Sequence, residues 1–186
     1  VVCEQMEDPK QAKGLVQRDV VEIITPGTVL NPGALDETRT PSIAALAGPD
    51  DKGCFALAFA EPTNGRFTVD SVSAESLADL LTSQVPNEIV VADDADARLT
   101  HIAESGQTAI TKWPSWRFET SEAAKALKSH FGVHDLDAIG IGTNGANQSA
   151  VSVAGALIAY LRETKRAPLS HISAITSLVS SDTISL

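Results

Sequence analysis

The sequence predicts an α/β fold: one mixed-sheet domain with flanking helices over about residues 42–168, preceded by a strand–helix–strand stretch. Three observations carry this. Two apolar runs, Cys54–Ala60 and Arg66–Val72, are joined by Glu61-Pro62-Thr63-Asn64-Gly65, whose Asn-Gly supplies the positive φ of a β-hairpin turn. From residue 73 onward, segments of helical spacing alternate with short apolar runs of strand length. The longest helical segment, Gln148–Lys165, is apolar through Val151, Ala154, Leu157, Ile158 and Leu161, as a core helix must be. A meander followed by alternating helices and strands is the element order of a mixed α/β sheet.

The elements follow in order. Val1-Val2-Cys3 is an apolar run of strand type. Asp8-Pro9 places a capping residue before a proline, whose missing N–H is not needed in a first helical turn, and Gly14 ends that short helix. Arg18–Thr25 is β-branched and reads as a strand, stopped by Pro26-Gly27. One such unit cannot bury its own faces, and the sequence opens inside a hydrophobic strand without Met, so the chain reads as a segment of a larger protein. Asn31–Pro41 is polar, charged and flanked by Pro and Gly, an exposed linker. Ser42–Ala47 is a strand candidate. Ser73–Gln84 carries Leu77, Leu80 and Leu81 at helical spacing, Glu88–Ala92 is a short buried strand, and Asp93, Asp94 and Asp96 lead into a helix with Leu99, Ile102 and Ala103. Thr108–Trp113 is another strand. Ser121–Phe131 is an amphipathic helix, with Ala124, Leu127 and Phe131 inward and Glu122, Lys125 and Lys128 outward. Leu136–Ile141 fits a short strand or a helical turn, and Ser170–Leu186 alternates like strands.

Composition bounds the function. The formal net charge of −10 and pI near 4.7 are opposite to the basic surface that grips nucleic-acid phosphates, so any DNA contacts are expected to be few and local. Cys3 and Cys54 have no CxxC spacing and sit in strand-like runs, which predicts buried reduced thiols and a cytoplasmic setting. No apolar run approaches the roughly 20 residues of a membrane span, and no secretory signal is visible.

Four motifs invite chemistry, and each has a plainer reading. Gly140–Gly145 spells G-x-G-x-x-G before a helix, but the acidic residue about 20 positions on, Glu163, still lies inside that helix rather than ending a second strand. A turn is the better reading. Asp93, Asp94 and Asp96 sit where helix caps and first-turn acids belong. His130 and His134 have H-x-x-x-H spacing, yet Gly132 between them ends the helix, so the rings need not converge on a metal. Lys112-Trp113-Pro114-Ser115-Trp116-Arg117-Phe118 interleaves aromatic and basic residues in the manner of a base-stacking surface; it is short, the chain is acidic, and packing is favoured.

The run Cys3-Glu4-Gln5, Asp8-Pro9, Lys13-Gly14, Arg18 and Thr25-Pro26-Gly27-Thr28 resembles, in order and spacing, the end of the mismatch-binding domain of the MutS family of bacterial DNA mismatch repair proteins. The resemblance continues through Gly65-Arg66-Phe67, Trp116-Arg117-Phe118-Glu119, Phe131-Gly132 and Leu169-Ser170-His171-Ile172. It implies a division into residues 1–30, the end of the mismatch-binding domain; 31–41, a linker; 42–168, a connector domain of ribonuclease-H-like fold; and 169–186, entry into the core lever region. The stretch over residues 1–30 is then a β-α-β remnant of the mismatch-binding domain.

Function is implied in the same way. The family binds mismatched DNA as a homodimer, exchanges ADP for ATP, clamps on the duplex and recruits MutL. The connector couples the ATPase and DNA ends and offers surface to MutL. Lys13 and Arg18, in the densest positive group with Lys10, are the implied DNA-backbone contacts, and the outward face of Ser121–Phe131, including Glu122 and Lys125, is the candidate MutL surface. The family's Phe-x-Glu mismatch wedge is expected to precede this segment, since the Phe59-Ala60-Glu61 found here lies in the apolar run that opens the hairpin, and its G-x-x-x-x-G-K-[ST] P-loop does not occur in this sequence. The segment is therefore expected to be no enzyme by itself and to hold no cofactor, with ATP and Mg belonging to the parent protein. Two alternatives belong to other classes. A ribonuclease-H-like metal-dependent nuclease would gather Glu61, where the family usually has Asp, with a second carboxylate around Mg²⁺. A small nucleotide-binding α/β protein would use Gly140–Gly145.

Overall fold

A computed structural model describes residues 2–5, 18–26, 40–104, 108–141, 148–165 and 169–177. Strands β1 (Val2–Gln5) and β2 (Arg18–Glu22) pair antiparallel, from Val2 opposite Glu22 to Gln5 opposite Arg18. The short helix expected between them, and most of the expected linker, lie outside the described residues. The second strand is shorter than its β-branched run: Ile23–Thr25 leave the pairing and run to a turn at Pro26.

The larger sheet has five strands in the order β5-β4-β3-β6-β7: β3 (Ile43–Ala47), β4 (Phe55–Glu61), β5 (Arg66–Val72), β6 (Glu88–Ala92) and β7 (Ala109–Trp113). β4 pairs antiparallel with both β3 and β5, while β6 is parallel to β3 and β7 is parallel to β6. The hairpin turn forms as its Asn-Gly requires: Gly65 has φ +79°, and Asn64 accepts the Arg66 amide at 2.9 Å. The parallel start of β3 and β6 is fixed by a reciprocal pair, in which Ser42 N–H donates to the Asn87 side chain and Asn87 N–H donates to the Ser42 carbonyl, both at 2.9 Å.

Among the described residues, four α-helices cover the two faces. Helices α1 (Ala74–Gln84) and α2 (Ala97–Glu104) belong to the core of Ala44, Leu46, Leu57, Phe59, Ile89 and Val91, to which they contribute Leu77, Leu99 and Ala103. Ser73 caps α1 by accepting the Ser76 amide. The opposite face, with Ile43, Ala45, Ala58, Phe67 and Val90, takes α3 (Thr120–Phe131) and α4 (Gln148–Lys165). Strand alternation explains the division, because neighbouring residues of one strand point to opposite faces.

One expectation is extended here and two are corrected. In α3 the inward stripe also includes Ala123, which with Leu127 is fully buried, while Ala124 and Phe131 pack half-buried against the same core as expected. Cys54 is half-buried and lies just ahead of β4, its amide held by Asp50 at 2.8 Å, rather than buried in a strand. The C-terminal stretch forms no strand among its described residues. A turn from Leu169 to Ile172 buries Ile172, and a single parallel bridge joins Thr176 to Thr68 on the edge of β5. Leu136–Ile141 resolves to a 3₁₀ turn over Leu136–Ile139.

Helices α3 and α4 come into close contact at Gly155. A Cβ there would lie 2.3 Å from both Cα and O of Ala123. Alanine is the better helix former by about 1 kcal/mol, but overpacking costs roughly 1–3 kcal/mol, and a 2.3 Å clash with backbone that cannot swing aside belongs in the upper part of that range, about 2–3 kcal/mol. Gly155→Ala should therefore lower the unfolding free energy by about 1–2 kcal/mol, read from the urea midpoint. An equal or higher midpoint would show that the two helices do not meet at this glycine.

Candidate functional site

Two places on the part of the chain built around the five-stranded sheet combine polar chemistry with defined geometry. The first lies where the chain leaves β2. Glu88 opens an otherwise apolar strand, E-I-V-V-A, and is fully buried. A buried carboxylate is costly unless hydrogen-bonded, and here three hydroxyls converge on it: Thr25 at 2.6 Å from the N-terminal segment, Thr111 at 2.5 Å from β7, and Tyr160 at 2.6 Å from α4. Beside them the Ile23 amide donates to the Thr164 carbonyl at 2.8 Å, and the Thr164 hydroxyl turns back to the Tyr160 carbonyl. The sequence signalled the buried strand but not this hub; the clue was an acidic residue at the head of a run that must be buried.

The second place is an open groove of about 470 Å³ between α3 and α4, lined by Arg117, Glu122, Lys125, Ser129, Arg162 and Glu163. Both sequence-derived partner residues lie in it. Lys125 Nζ is 2.6 Å from the Glu122 carboxylate, one helical turn away, and its side chain is well exposed. Arg117 donates to Glu163 at 3.0 Å, and Arg162 to the Ser129 hydroxyl at 3.3 Å. The Arg117 guanidinium also lies 5.1 Å from the centroid of Trp113 and 4.2 Å from that of Trp116. The aromatic–basic stretch is thus largely absorbed in packing. Trp113 meets Tyr160 edge-on at 5.3 Å, Phe118 is buried, and Trp116 alone of its aromatics stays open, 47% exposed.

The remaining candidates stay apart. Arg18 is the first residue of β2, its side chain outside the described residues, as is all of Lys13. Of the glycine-rich stretch, Gly140 caps the 3₁₀ turn at φ +78°, and residues 142–147 lie outside the description. Asp96 accepts the Arg98 amide at 2.7 Å as a helix cap does; the Arg98 side chain and that amide hold its carboxyl below the usual range. Asp93 accepts the Ser115 amide. Glu61 is engaged by Arg66 and Asn64. The His130 ring contacts the Ile172 carbonyl at 2.8 Å, while His134 lies beyond Gly132, which ends α3 at φ +66°. Among the described residues no three His, Cys, Asp or Glu side chains gather as a metal site would need, and no helix is long and apolar enough to cross a membrane.

Comparison with known proteins assigns the chain. Residues 41–173 match the family model of MutS domain II, and residues 1–32 match that of MutS domain I. The chain belongs to the MutS family. It is 34% identical over 184 residues to the DNA mismatch repair protein MutS of Lachnoclostridium phytofermentans, covering 97% of this chain and 19% of that protein. It is 32% identical over 189 residues to the DNA mismatch repair protein MutS of Chlorobium chlorochromatii, covering all of this chain and 22% of that protein. The chain thus spans about a fifth of the length of these MutS relatives. The groove belongs to the part matched by domain II, and the Glu88 hub joins that part to the part matched by domain I.

Tyr160 reports on the hub. Burial, then the hydrogen bond and charge of Glu88, raise its phenol well above the ordinary value of 10.0, with Thr25 and Thr111 opposing weakly. Because the folded value is the higher one, this contribution to stability is intact below pH 10 and is lost as pH rises through the folded value. The sequence has one tyrosine, so phenolate absorbance reads it directly. The native chain should show no ionisation step as pH passes 10, whereas the urea-unfolded chain should show one. A native step near pH 10 would mean that the hydroxyl is not held in this site.

Proposed function

We propose that this chain is the part of a DNA mismatch repair protein that couples its DNA-binding and ATPase ends and offers a surface to MutL. The observation that carries the reading is the match to MutS domains I and II over nearly the whole chain. The proposed division is residues 1–30 in the mismatch-binding domain, 31–41 as linker, 42–168 as connector and 169–186 as entry to the lever region. The connector is assigned a ribonuclease-H-like arrangement; support comes from the sheet order, with β4 alone running against the other four strands. The parent protein acts as a homodimer in the cytoplasm, binds mismatched duplex, and carries its ATP and Mg outside this segment.

Partner binding is assigned to the α3 side of the groove, through Glu122 and Lys125, and contacts to the DNA backbone to Lys13 and Arg18. The exposed Glu122–Lys125 pair supports little of the fold, since surface ion pairs contribute about 0–1 kcal/mol. It can therefore be altered without unfolding the domain. Against a nuclease reading, no three or more His, Cys, Asp or Glu side chains gather among the described residues, and Glu61 is engaged by its hairpin neighbours Arg66 and Asn64.

The two assignments separate experimentally in the full-length protein. Lys125→Glu should weaken MutL recruitment about tenfold and leave mismatch affinity unchanged. Joint replacement of Lys13 and Arg18 by alanine should weaken matched and mismatched DNA alike, with a shallower salt dependence, and leave MutL recruitment intact. Unchanged MutL binding after the reversal at Lys125 would remove that surface from the account.

A further inference from the structure

We propose that Glu88 is a latch: it holds the segment leaving β2 against the connector sheet through the Thr25 hydroxyl, and so sets the geometry between the two parts of the chain. The placement is specific. Glu88 starts a strand flanked on both sides, between β3 and β7, so its backbone is fixed by two parallel ladders. Thr111 and Tyr160 bring their hydroxyls from the connector itself, from a strand and a helix that pack on the same face. The third hydroxyl comes from Thr25, 63 residues earlier in the chain. Two residues before Thr25, the Ile23 amide finds the Thr164 carbonyl, one turn beyond Tyr160 on α4. Side chain and backbone of the exit segment are thus held by adjacent turns of one helix and by the residue that this helix serves.

Among the described residues, the contacts that hold Ile23 and Thr25 are hydrogen bonds, which suits a joint that must hold and yet release. Ile24, between the two anchoring residues, is 51% exposed and contributes little apolar burial. Thr25 and Ile23 are half-buried, whereas the connector half of the hub is buried deeply. When the segment leaves, the Thr111 and Tyr160 hydroxyls stay on Glu88, and water can take the place of Thr25 at the half-buried edge. The connector therefore does not have to unfold for the joint to open.

The latch stands on these contacts alone; its use in transmission rests on the proposed function, and two readouts keep them separate. In the 186-residue chain, Thr25→Val keeps the side-chain shape and removes the hydroxyl. Amide hydrogen exchange at Ile23 should accelerate about tenfold or more, while the amides of Leu46 and Val90 in the central strands stay as protected as before. Thr25→Ser, which restores the hydroxyl, should return the slow exchange at Ile23. Unchanged exchange at Ile23 in Thr25→Val, or equal acceleration at Leu46 and Val90, would overturn the latch. In the full-length protein, Thr25→Val should also reduce the nucleotide-dependent change in mismatch affinity. Faster exchange at Ile23 with that change intact would uphold the latch and overturn its role in coupling.

Discussion

Helix α4 is the constraint on which the rest of the molecule depends. Eleven of its eighteen residues are buried, so it must be enclosed on nearly every side. The sheet supplies one wall, α3 another, and the 3₁₀ turn over Ser115–Phe118 a third, where Ser152 donates its hydroxyl to the Phe118 carbonyl. Gly155 sets how near α3 can come, and Tyr160 and Thr164 carry the same helix to the exit of the N-terminal segment. One element therefore positions both the groove and the junction.

That arrangement gives the two sites a shared physical boundary. Trp116 and Trp113 flank the Arg117 guanidinium, Trp113 meets the edge of Tyr160, Tyr160 donates to Glu88, and Thr25 donates to the same carboxylate. Arg117 and Glu163 line the groove at the other end. A displacement of α4 large enough to disturb the groove must also be felt at the Glu88 hub, because a close-packed interior offers little slack between them. Linkage then requires the influence to run both ways.

The fold was legible where local chemistry and burial agree. The hairpin followed from Asn64-Gly65, the buried strand from Glu88–Ala92 and the long helix from its unbroken apolar face, and each formed with nearly the expected bounds. Legibility failed where alternation had a different cause. Among the described residues after Leu169, Ile172 plugs the core while His171 and Ser173 face solvent, so the alternation there reflects a turn and not a strand. In α3 the pattern identified the helix but missed Ala123, since the burial of so small a residue depends on a glycine 32 positions away. The groove residues Glu122 and Lys125 were within reach of a helical wheel. The hub was not, because its hydroxyls come from residues 25, 111 and 160, and only the folded chain brings them together.

The central claim is that this segment serves coupling and partner binding rather than recognition of the mismatch. The formal net charge of −10 points that way, and Phe59-Ala60-Glu61, the one Phe-x-Glu of the sequence, is built into β4 with the phenyl ring buried. The most direct measurement is binding of this chain to purified MutL and, in parallel, to matched and mismatched duplexes at moderate salt. The account predicts measurable binding to MutL with negligible binding to either duplex. Tight, mismatch-selective binding of DNA by this chain would contradict it.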